Sequence, residues 1–225
     1  MTMSDTRAAW AMDRIYRRQR HIYDASRKYF LLGRDRLIDG LDLAEGGTVL
    51  ELGCGTGRNL VAVARKYRAA RLYGLDISEE MLRSALRSID RRGLRTRIVL
   101  AQGDAAAFDG ARSFGVAAFD RVFISYSLSM IPQWQPVLRR AAGLVAPGGS
   151  LHVVDFGQQA RLPAWFRVLL LAWLRRFHVE PRRDLFRVLE RISAETGGNL
   201  YIERLHRDYA WYARLSAPVN RASRG

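Results

Sequence analysis

Between residues 48 and 156, short apolar runs alternate with stretches of helical spacing, and this rhythm limits the possible folds more than any other feature of the chain. Thr48–Leu52 reads as a short buried strand, Asn59–Tyr67 as a helix, Arg71–Leu75 as a strand, and Glu79–Ile89 as a helix opened by Ser78 as N-cap. Arg97–Ala101 and Asp120–Ser125 follow as strands. Gln135–Leu144 has helical spacing, the turn Pro147-Gly148-Gly149 stops it, and Ser150–Phe156 is a further strand. Such a β-α-β-α order requires a parallel sheet with helices on both faces. Leu200–Leu205 and Asp208–Leu215 alternate tightly enough for an antiparallel pair, and Ala8–Phe30 has the spacing of one or two helices.

The length of 225 residues fits one domain with additions, and no internal repeat divides it. Lys and Arg number 37 against 22 Asp and Glu, a net charge of +15 that makes an anionic partner surface a live expectation. The excess is concentrated. Residues 7–36 carry nine bases and three acids, and residues 161–191 carry eight bases and three acids. A single cysteine, Cys54, excludes an internal disulfide and suits a reducing cytoplasm. Arginines interrupt every apolar window before residue 40, so no signal peptide is expected. The apolar stretch Leu162 to Leu174 contains Arg167 and falls short of the ~20 residues that cross a bilayer.

Val49-Leu50-Glu51-Leu52-Gly53-Cys54-Gly55-Thr56-Gly57 is a strand that runs into glycines and then a helix, an arrangement in which backbone approaches a ligand closely. The glycines at 53, 55 and 57 depart from the dinucleotide spacing, and the preceding Glu51 suits an ammonium group better than a pyrophosphate. Asp76 ends the next strand, where a carboxylate can accept from both hydroxyls of a ribose. Asp104, in Gln102-Gly103-Asp104-Ala105, ends the one after, within reach of an adenine amino group. Three carboxylates at successive strand ends suggest a nucleoside without phosphates. His21, His152, His178 and His206 have no metal-ligand spacing, and Cys54 reads as a small residue filling the turn, so no metal is expected. Hydrolase and nucleotide-hydrolysing signatures are missing.

Glu51–Gly57, Asp76, Asp104, the strand Phe119–Ser125 and the turn Pro147-Gly148-Gly149 resemble, in order and spacing, the class I S-adenosylmethionine-dependent methyltransferases. The resemblance implies S-adenosylmethionine as cofactor and S-adenosylhomocysteine as product. It implies that Gly53, Gly55 and Gly57 lie against the methionine part, Asp76 holds the ribose, and Asp104 faces the adenine. Ile77, Met81 and Ala105 would enclose the adenine ring, while Ser125 and Tyr126 stand where methyl and acceptor meet. The fold expected is α/β: a doubly wound, Rossmann-like sheet of seven strands, the last antiparallel, with amino-terminal cap helices and an inserted helix. By residue, this places cap helices at 1–41, a cofactor-binding core at 42–160, inserted and following helices at 161–195, and terminal strands and tail at 196–225.

Ile15-Tyr16-Arg17-Arg18-Gln19-Arg20-His21-Ile22-Tyr23-Asp24 and its continuation Arg27 to Arg36 resemble the N-methyltransferases of bacterial betaine-lipid synthesis, the BtaB type. Asn59, the run Ser125 to Pro132 and the ending Asp208-Tyr209-Ala210-Trp211-Tyr212 agree with that resemblance. It implies three methyl transfers to the amine of diacylglyceryl-homoserine. Tyr16, Tyr23 and Tyr29 recur at six or seven residues, a spacing that suits either a ring-lined pocket for a quaternary ammonium or packing of the helix onto the sheet. Arg27 or Arg34 is placed to meet a carboxylate of cofactor or acceptor, or to form part of a solvated basic face. An amine needs no strong base; Tyr23, Tyr126 and His152 are the candidates if one assists. Taken as a helix, Pro163–His178 gathers Leu169, Trp173, Phe166, Phe177, Leu170 and Leu174 into an arc of roughly 140°, the pattern of an interfacial helix or of a lid packed on its own domain. With Arg175, Arg176, Arg182 and Arg183 close by, segment 161–183, and the basic stretch 7–36, are expected to meet an anionic membrane. The enzyme that makes diacylglyceryl-homoserine is a candidate partner, and the inner membrane face the expected location. Rival acceptors are phosphatidylethanolamine and a quinone or other small molecule; a nucleic-acid role is disfavoured by the lack of a base-extruding motif.

Overall fold

The computed structural model describes residues 31–219. Tyr16, Tyr23, Tyr29, Arg27, the helical stretch Ala8–Phe30 and most of the basic segment 7–36 lie outside these residues. Seven strands form one sheet: β1 (Thr48–Leu52), β2 (Arg71–Asp76), β3 (Ile98–Gln102), β4 (Phe119–Ser125), β5 (Val145–Phe156), β6 (Asn199–Leu205) and β7 (Ala210–Ser216). Their spatial order is β3-β2-β1-β4-β5-β7-β6. Strands β1 to β5 pair in parallel, and β7 runs antiparallel to both β5 and β6. Strand order therefore reverses between β1 and β4. At such a switch point neighbouring loops turn to opposite faces and open a crevice at the carboxyl ends.

The helices are α1 (Arg34–Gly40), α2 (Arg58–Lys66), α3 (Glu79–Asp90), α4 (Gly110–Phe114), α5 (Trp134–Gly143), α6 (Ala164–Arg176) and α7 (Leu185–Thr196). A short 3-10 turn covers Leu128–Met130. Successive strand residues point to opposite faces, so Val49, Phe123 and Val154 bury beneath α1 and α2, while Leu50, Val122 and Val153 bury against α5 and α7. Both faces are covered, which is why the parallel strands read as nearly continuous apolar runs. Ser78 caps α3 as expected, its hydroxyl accepting from the Met81 N–H at 3.3 Å.

One local expectation needs correction, one short helix has no counterpart in the sequence reading, and one open alternative is decided. Helix α5 already ends at Gly143, and Pro147-Gly148-Gly149 lies within β5. There the pairing shifts, from Phe119 opposite Val145 to Arg121 opposite Ser150, so the turn residues make a bulge in a continuing strand. The short helix α4 has no apolar periodicity to announce it; Asp109 starts it by accepting from the Arg112 N–H at 3.2 Å. Of the two readings of the apolar arc on the insertion, the structure favours the lid packed on its own domain, since the arc forms the inward face of α6. Leu170, Leu174 and Phe177 are buried, Phe166 and Trp173 pack half-buried on the core, and among the six arc residues only Leu169 is exposed. Burying this face against the strand ends removes more apolar surface from water than leaving it outward would, so packing on the domain wins. No helix among the described residues is long and apolar enough to cross a membrane.

Candidate active site

Strand β1 delivers the buried Glu51 and then turns sharply through the glycine loop. The N–H groups of Gly53 and Cys54 both donate to the Leu75 carbonyl, at 2.8 and 2.9 Å, which ties the loop to the end of β2. Gly53, Gly55 and Gly57 all have positive φ, at 73°, 53° and 71°. Two of these glycines serve different ends. A Cβ on Gly53 would lie 2.7 Å from Ser127 Cβ and Oγ, so this glycine keeps the approach between the β1 and β4 loops open. A Cβ on Gly57 would lie 3.0 Å from Ala85 Cβ, so that glycine lets α2 start close against α3.

A cavity of about 540 Å³ opens beside this loop. Arg34, Glu51, Gly53, Asn59 and Ser125 line it together, which brings five of the sequence-predicted site residues around one space. Glu51 Oε1 accepts from Asn59 Nδ2 at 2.6 Å, so the first turn of α2 aims the carboxylate. Ser125 Oγ and Arg34 Nε are buried and find no hydrogen-bond partner among the described residues. A buried donor left unmet costs roughly 1–3 kcal/mol, so these two atoms mark where a polar ligand belongs. Cys54 also borders the cavity, but burial pushes its thiol well above the usual range, with Asp76 and Glu51 adding to the effect. It is a space-filling residue with little thiolate character.

The remaining predicted contacts lie along the adjoining strand ends, outside the lining of this cavity. Asp76 stands opposite Gln102 in the β2–β3 register. Its two carboxylate oxygens accept from the Gly55 N–H at 2.7 Å and the Ser78 N–H at 2.9 Å, so it braces the glycine loop and the start of α3 at once. Met81 is buried in the first turn of α3, and Ile77 is half-buried beside it. Asp104 is exposed after β3 and accepts from the Ala106 N–H at 2.9 Å, with Ala105 half-buried between them. Gly55 meets this group through its bond to Asp76.

Tyr126 and His152 stand apart from the cavity lining. Tyr126 is buried, with φ of 55°, its ring edge-on to Phe156 at a centroid distance of 4.7 Å. Its hydroxyl donates to the Leu32 carbonyl. Burial, with Tyr209 and Asp155 nearby, pushes that hydroxyl well above its ordinary pKa, so the phenolate a base would need is disfavoured. His152 is buried in mid-β5 between two hydroxyls, Ser150 Oγ 2.8 Å from Nε2 and Tyr212 OH 2.9 Å from Nδ1. Burial, reinforced by Arg121, Arg214 and Arg36, pushes its pKa down to about 3, and the ring stays neutral. The geometry gives both residues bracing roles, His152 between β5 and β7 and Tyr126 between the end of β4 and the segment before α1.

Sequence reasoning missed the basic side of the cavity, where Arg58, Arg65, Arg91 and Arg92 join Ser84 and Ser88. Ser84, Ser88 and Arg91 recur at helical spacing of four and three, a stripe that reads as an ordinary solvated face until α2 and α3 are set side by side.

The sheet order, the single antiparallel strand and the glycine loop at the switch point define the fold of the class I S-adenosylmethionine-dependent methyltransferases. Residues 49–149 match the family described as Methyltransferase domain. Among curated proteins, the methyltransferase GfsG of Streptomyces halstedii is 31% identical over 121 residues, 54% of this chain and 42% of its own. The phosphatidylethanolamine N-methyltransferase of Cereibacter sphaeroides is 32% identical over 112 residues, 50% of this chain and 52% of its own. The chain thus spans about half the length of these curated relatives. The solved structure of the S-adenosylmethionine-dependent methyltransferase SibL superposes with a TM-score of 0.69 at 22% identity, over 88% of this chain and 58% of that one. The residues present fit S-adenosylmethionine as a cofactor. Glu51 would offer an anion to its ammonium, Arg34 a cation to its carboxylate and Ser125 an unmet hydroxyl, and Gly53 leaves the clearance a close ligand needs.

Proposed function

We propose that the protein is an N-methyltransferase for a lipid-borne amine, converting diacylglyceryl-homoserine to the trimethylated betaine lipid. The observation that carries this reading is the withdrawal of Tyr126 and His152 from proton chemistry. One hydroxyl is committed to Leu32, and one imidazole is held neutral between Ser150 and Tyr212. An amine tolerates that arrangement. With a pKa near 8 it is about a tenth neutral at pH 7, so shedding its proton to water costs only ~1.4 kcal/mol. A hydroxyl acceptor would ask more of a base. The resemblance of residues 15–36 to the betaine-lipid enzymes, and the similarity to a relative that methylates phosphatidylethanolamine, support an amine on a lipid.

When bound, the cofactor supplies a methyl group already activated on a sulfonium, so alignment and exclusion of water supply most of the rate. Glu51, positioned by Asn59, and Arg34 would fix the methionine end. Asp76 would hold the ribose while keeping the loop N–H groups in place. Ser125, at the end of β4 and lining the cavity, would stand where acceptor and methyl meet. Tyr16, Tyr23 and Tyr29, outside the described residues, are proposed from their sequence spacing as ring faces for the growing ammonium.

The test is to incubate purified protein with methyl-labelled cofactor and, separately, diacylglyceryl-homoserine, phosphatidylethanolamine, a demethylated quinone or RNA, all lipids in detergent. Label entering diacylglyceryl-homoserine through mono-, di- and trimethyl products is expected. Label in the quinone or RNA alone would overturn the amine assignment, and label in phosphatidylethanolamine alone would move the acceptor to that lipid.

A further inference from the structure

Seven large hydrophobic residues are exposed among the described residues, and four of them, Leu32, Val99, Tyr201 and Val219, are scattered singly. The other three stand together on α6. Trp165, Val168 and Leu169 are 67%, 67% and 62% exposed. At 100° per residue they share one side of the helix with exposed Ala172, opposite the side where Leu170 and Leu174 enter the core. The stripe is therefore surplus to folding. Its surroundings carry one sign of charge: exposed Arg161 and Arg176 extend it at either end, and exposed Arg175 lies beside it. None of these three arginines has an ion pair or side-chain hydrogen bond among the described residues. Arg182 is different. Its guanidinium donates to the Leu128 and Ile131 carbonyls at 3.0 and 2.8 Å, and so bolts the chain after α6 to the turn that follows Ser125.

We infer that α6 seats the protein on an anionic lipid bilayer through Trp165, Val168 and Leu169, with Arg161, Arg175 and Arg176 at the headgroups. A short apolar stripe with an aromatic residue, rimmed by unpaired cations, matches the chemistry of the headgroup boundary, where rings and apolar side chains insert and arginines meet lipid phosphates. The inner face of α6 packs in the same core cluster as Tyr126 and Phe156, at the carboxyl ends of β4 and β5. The stripe thus places the membrane on the acceptor side of the cleft, and a diacyl acceptor has a short path to Ser125. The inference deepens the lipid-acceptor reading and rests on it for its purpose, while the surface itself is scored without acceptor or cofactor.

The experiment is co-sedimentation of the full chain with vesicles of phosphatidylglycerol and phosphatidylcholine, against vesicles of phosphatidylcholine alone, at low and high salt. Wild type should pellet with the anionic vesicles and be released by salt. Trp165→Glu/Leu169→Glu should weaken partition by on the order of tenfold or more, with circular dichroism and cofactor affinity unchanged. Arg175→Gln/Arg176→Gln should retain a weaker binding that salt no longer modulates strongly. A folded Trp165→Glu/Leu169→Glu variant that pellets like wild type overturns the inference. So does a wild type that ignores anionic vesicles, or one that sediments as a dimer which this variant dissolves, since a second copy then covers the stripe. Methylation in detergent separates the two proposals: a variant active there but inactive on vesicles has lost its seat and kept its acceptor. A wild type that pellets yet methylates no lipid amine loses the acceptor and keeps the membrane.

Discussion

The two sides of the crevice are built by different means. On the β1–β3 side the polar groups work over short sequence distances: Asn59 aims Glu51, Gly55 and Ser78 donate to Asp76, and Ser78 caps its own helix. On the β4–α6 side the bonds that hold the wall come from far along the chain, Tyr126 reaching Leu32 and Arg182 reaching Leu128 and Ile131. The first side is a loop that folds itself around a ligand position. The second is assembled from three segments, and the acceptor position inherits their joint tolerances. Cofactor binding should therefore fail through local changes near β1, whereas changes on the other side should disturb stability or acceptor kinetics and leave the cofactor alone.

The largest effect is expected at Gly53, where the β1 loop comes against Ser127 of the other side. Gly53→Val puts a branched side chain at a φ of 73° and against Ser127, so cofactor binding should fall by more than ~100-fold and stability by ~2–4 kcal/mol. Gly57→Ala supplies the contrast. Its Cβ meets Ala85 rather than the cavity, so stability should drop by ~1–2 kcal/mol while calorimetric affinity changes less than threefold. If both variants lose cofactor equally, the division of labour between the two glycines is wrong.

Next in size is Asp76→Ala, which removes an acceptor from two loop N–H groups and the proposed ribose contact. A cofactor affinity loss of ~2–3 kcal/mol, roughly 30- to 150-fold, is expected from the charge-assisted bonds, with the sheet still folded. Unchanged affinity in a folded variant would show that Asp76 only braces the loop.

How far each side is legible in the sequence follows from the same contrast. Period, capping and glycine spacing act within a few residues, so β1 through β3, Ser78 and the loop that Glu51 enters are readable from the chain alone. Pairing across the sheet obeys the same local patterns and delivers the antiparallel end strands as expected. What escapes depends on contacts between distant segments. A helical wheel for residues 163–178 shows an apolar arc without saying what covers it, and only the packed structure buries Leu170, Leu174 and Phe177 of that arc in the core. His152 reads as a candidate base until Ser150 and Tyr212 are found on either side of it. The basic stripe of Ser84, Ser88 and Arg91 acquires a cavity only when α2 packs beside α3.

His152 offers a pH test of the assembled side. Its folded pKa of about 3 lies below the ordinary 6.5, so between those values the unfolded chain binds a proton that the folded chain refuses. Stability from this group is complete above pH 6.5 and is lost as pH falls through that window. Urea titrations should show it costing ~2 kcal/mol between pH 7 and pH 5. His152→Gln should be less stable at pH 7 and show a correspondingly shallower loss on acidification. Equal slopes in the two proteins would mean that the ring takes up its proton without disturbing the fold.

The smallest effect, and the one that most directly tests whether Tyr126 belongs to the chemistry, is expected from Tyr126→Phe. The substitution keeps the ring on Phe156 and deletes only the hydroxyl that donates to the Leu32 carbonyl. A neutral hydrogen bond of this kind contributes about 1 kcal/mol. The loss should appear as faster amide exchange or proteolysis across Leu31–Leu41, because that bond fastens the segment to β4. Cofactor affinity should stay within about twofold, and kcat should fall less than tenfold with its pH profile unmoved, since burial keeps the hydroxyl from ionising in the working range. A general base would behave otherwise. Its removal typically costs ~100-fold or more and flattens the alkaline limb, so that outcome would return Tyr126 to the chemistry and show that the hydroxyl leaves Leu32 when the acceptor binds.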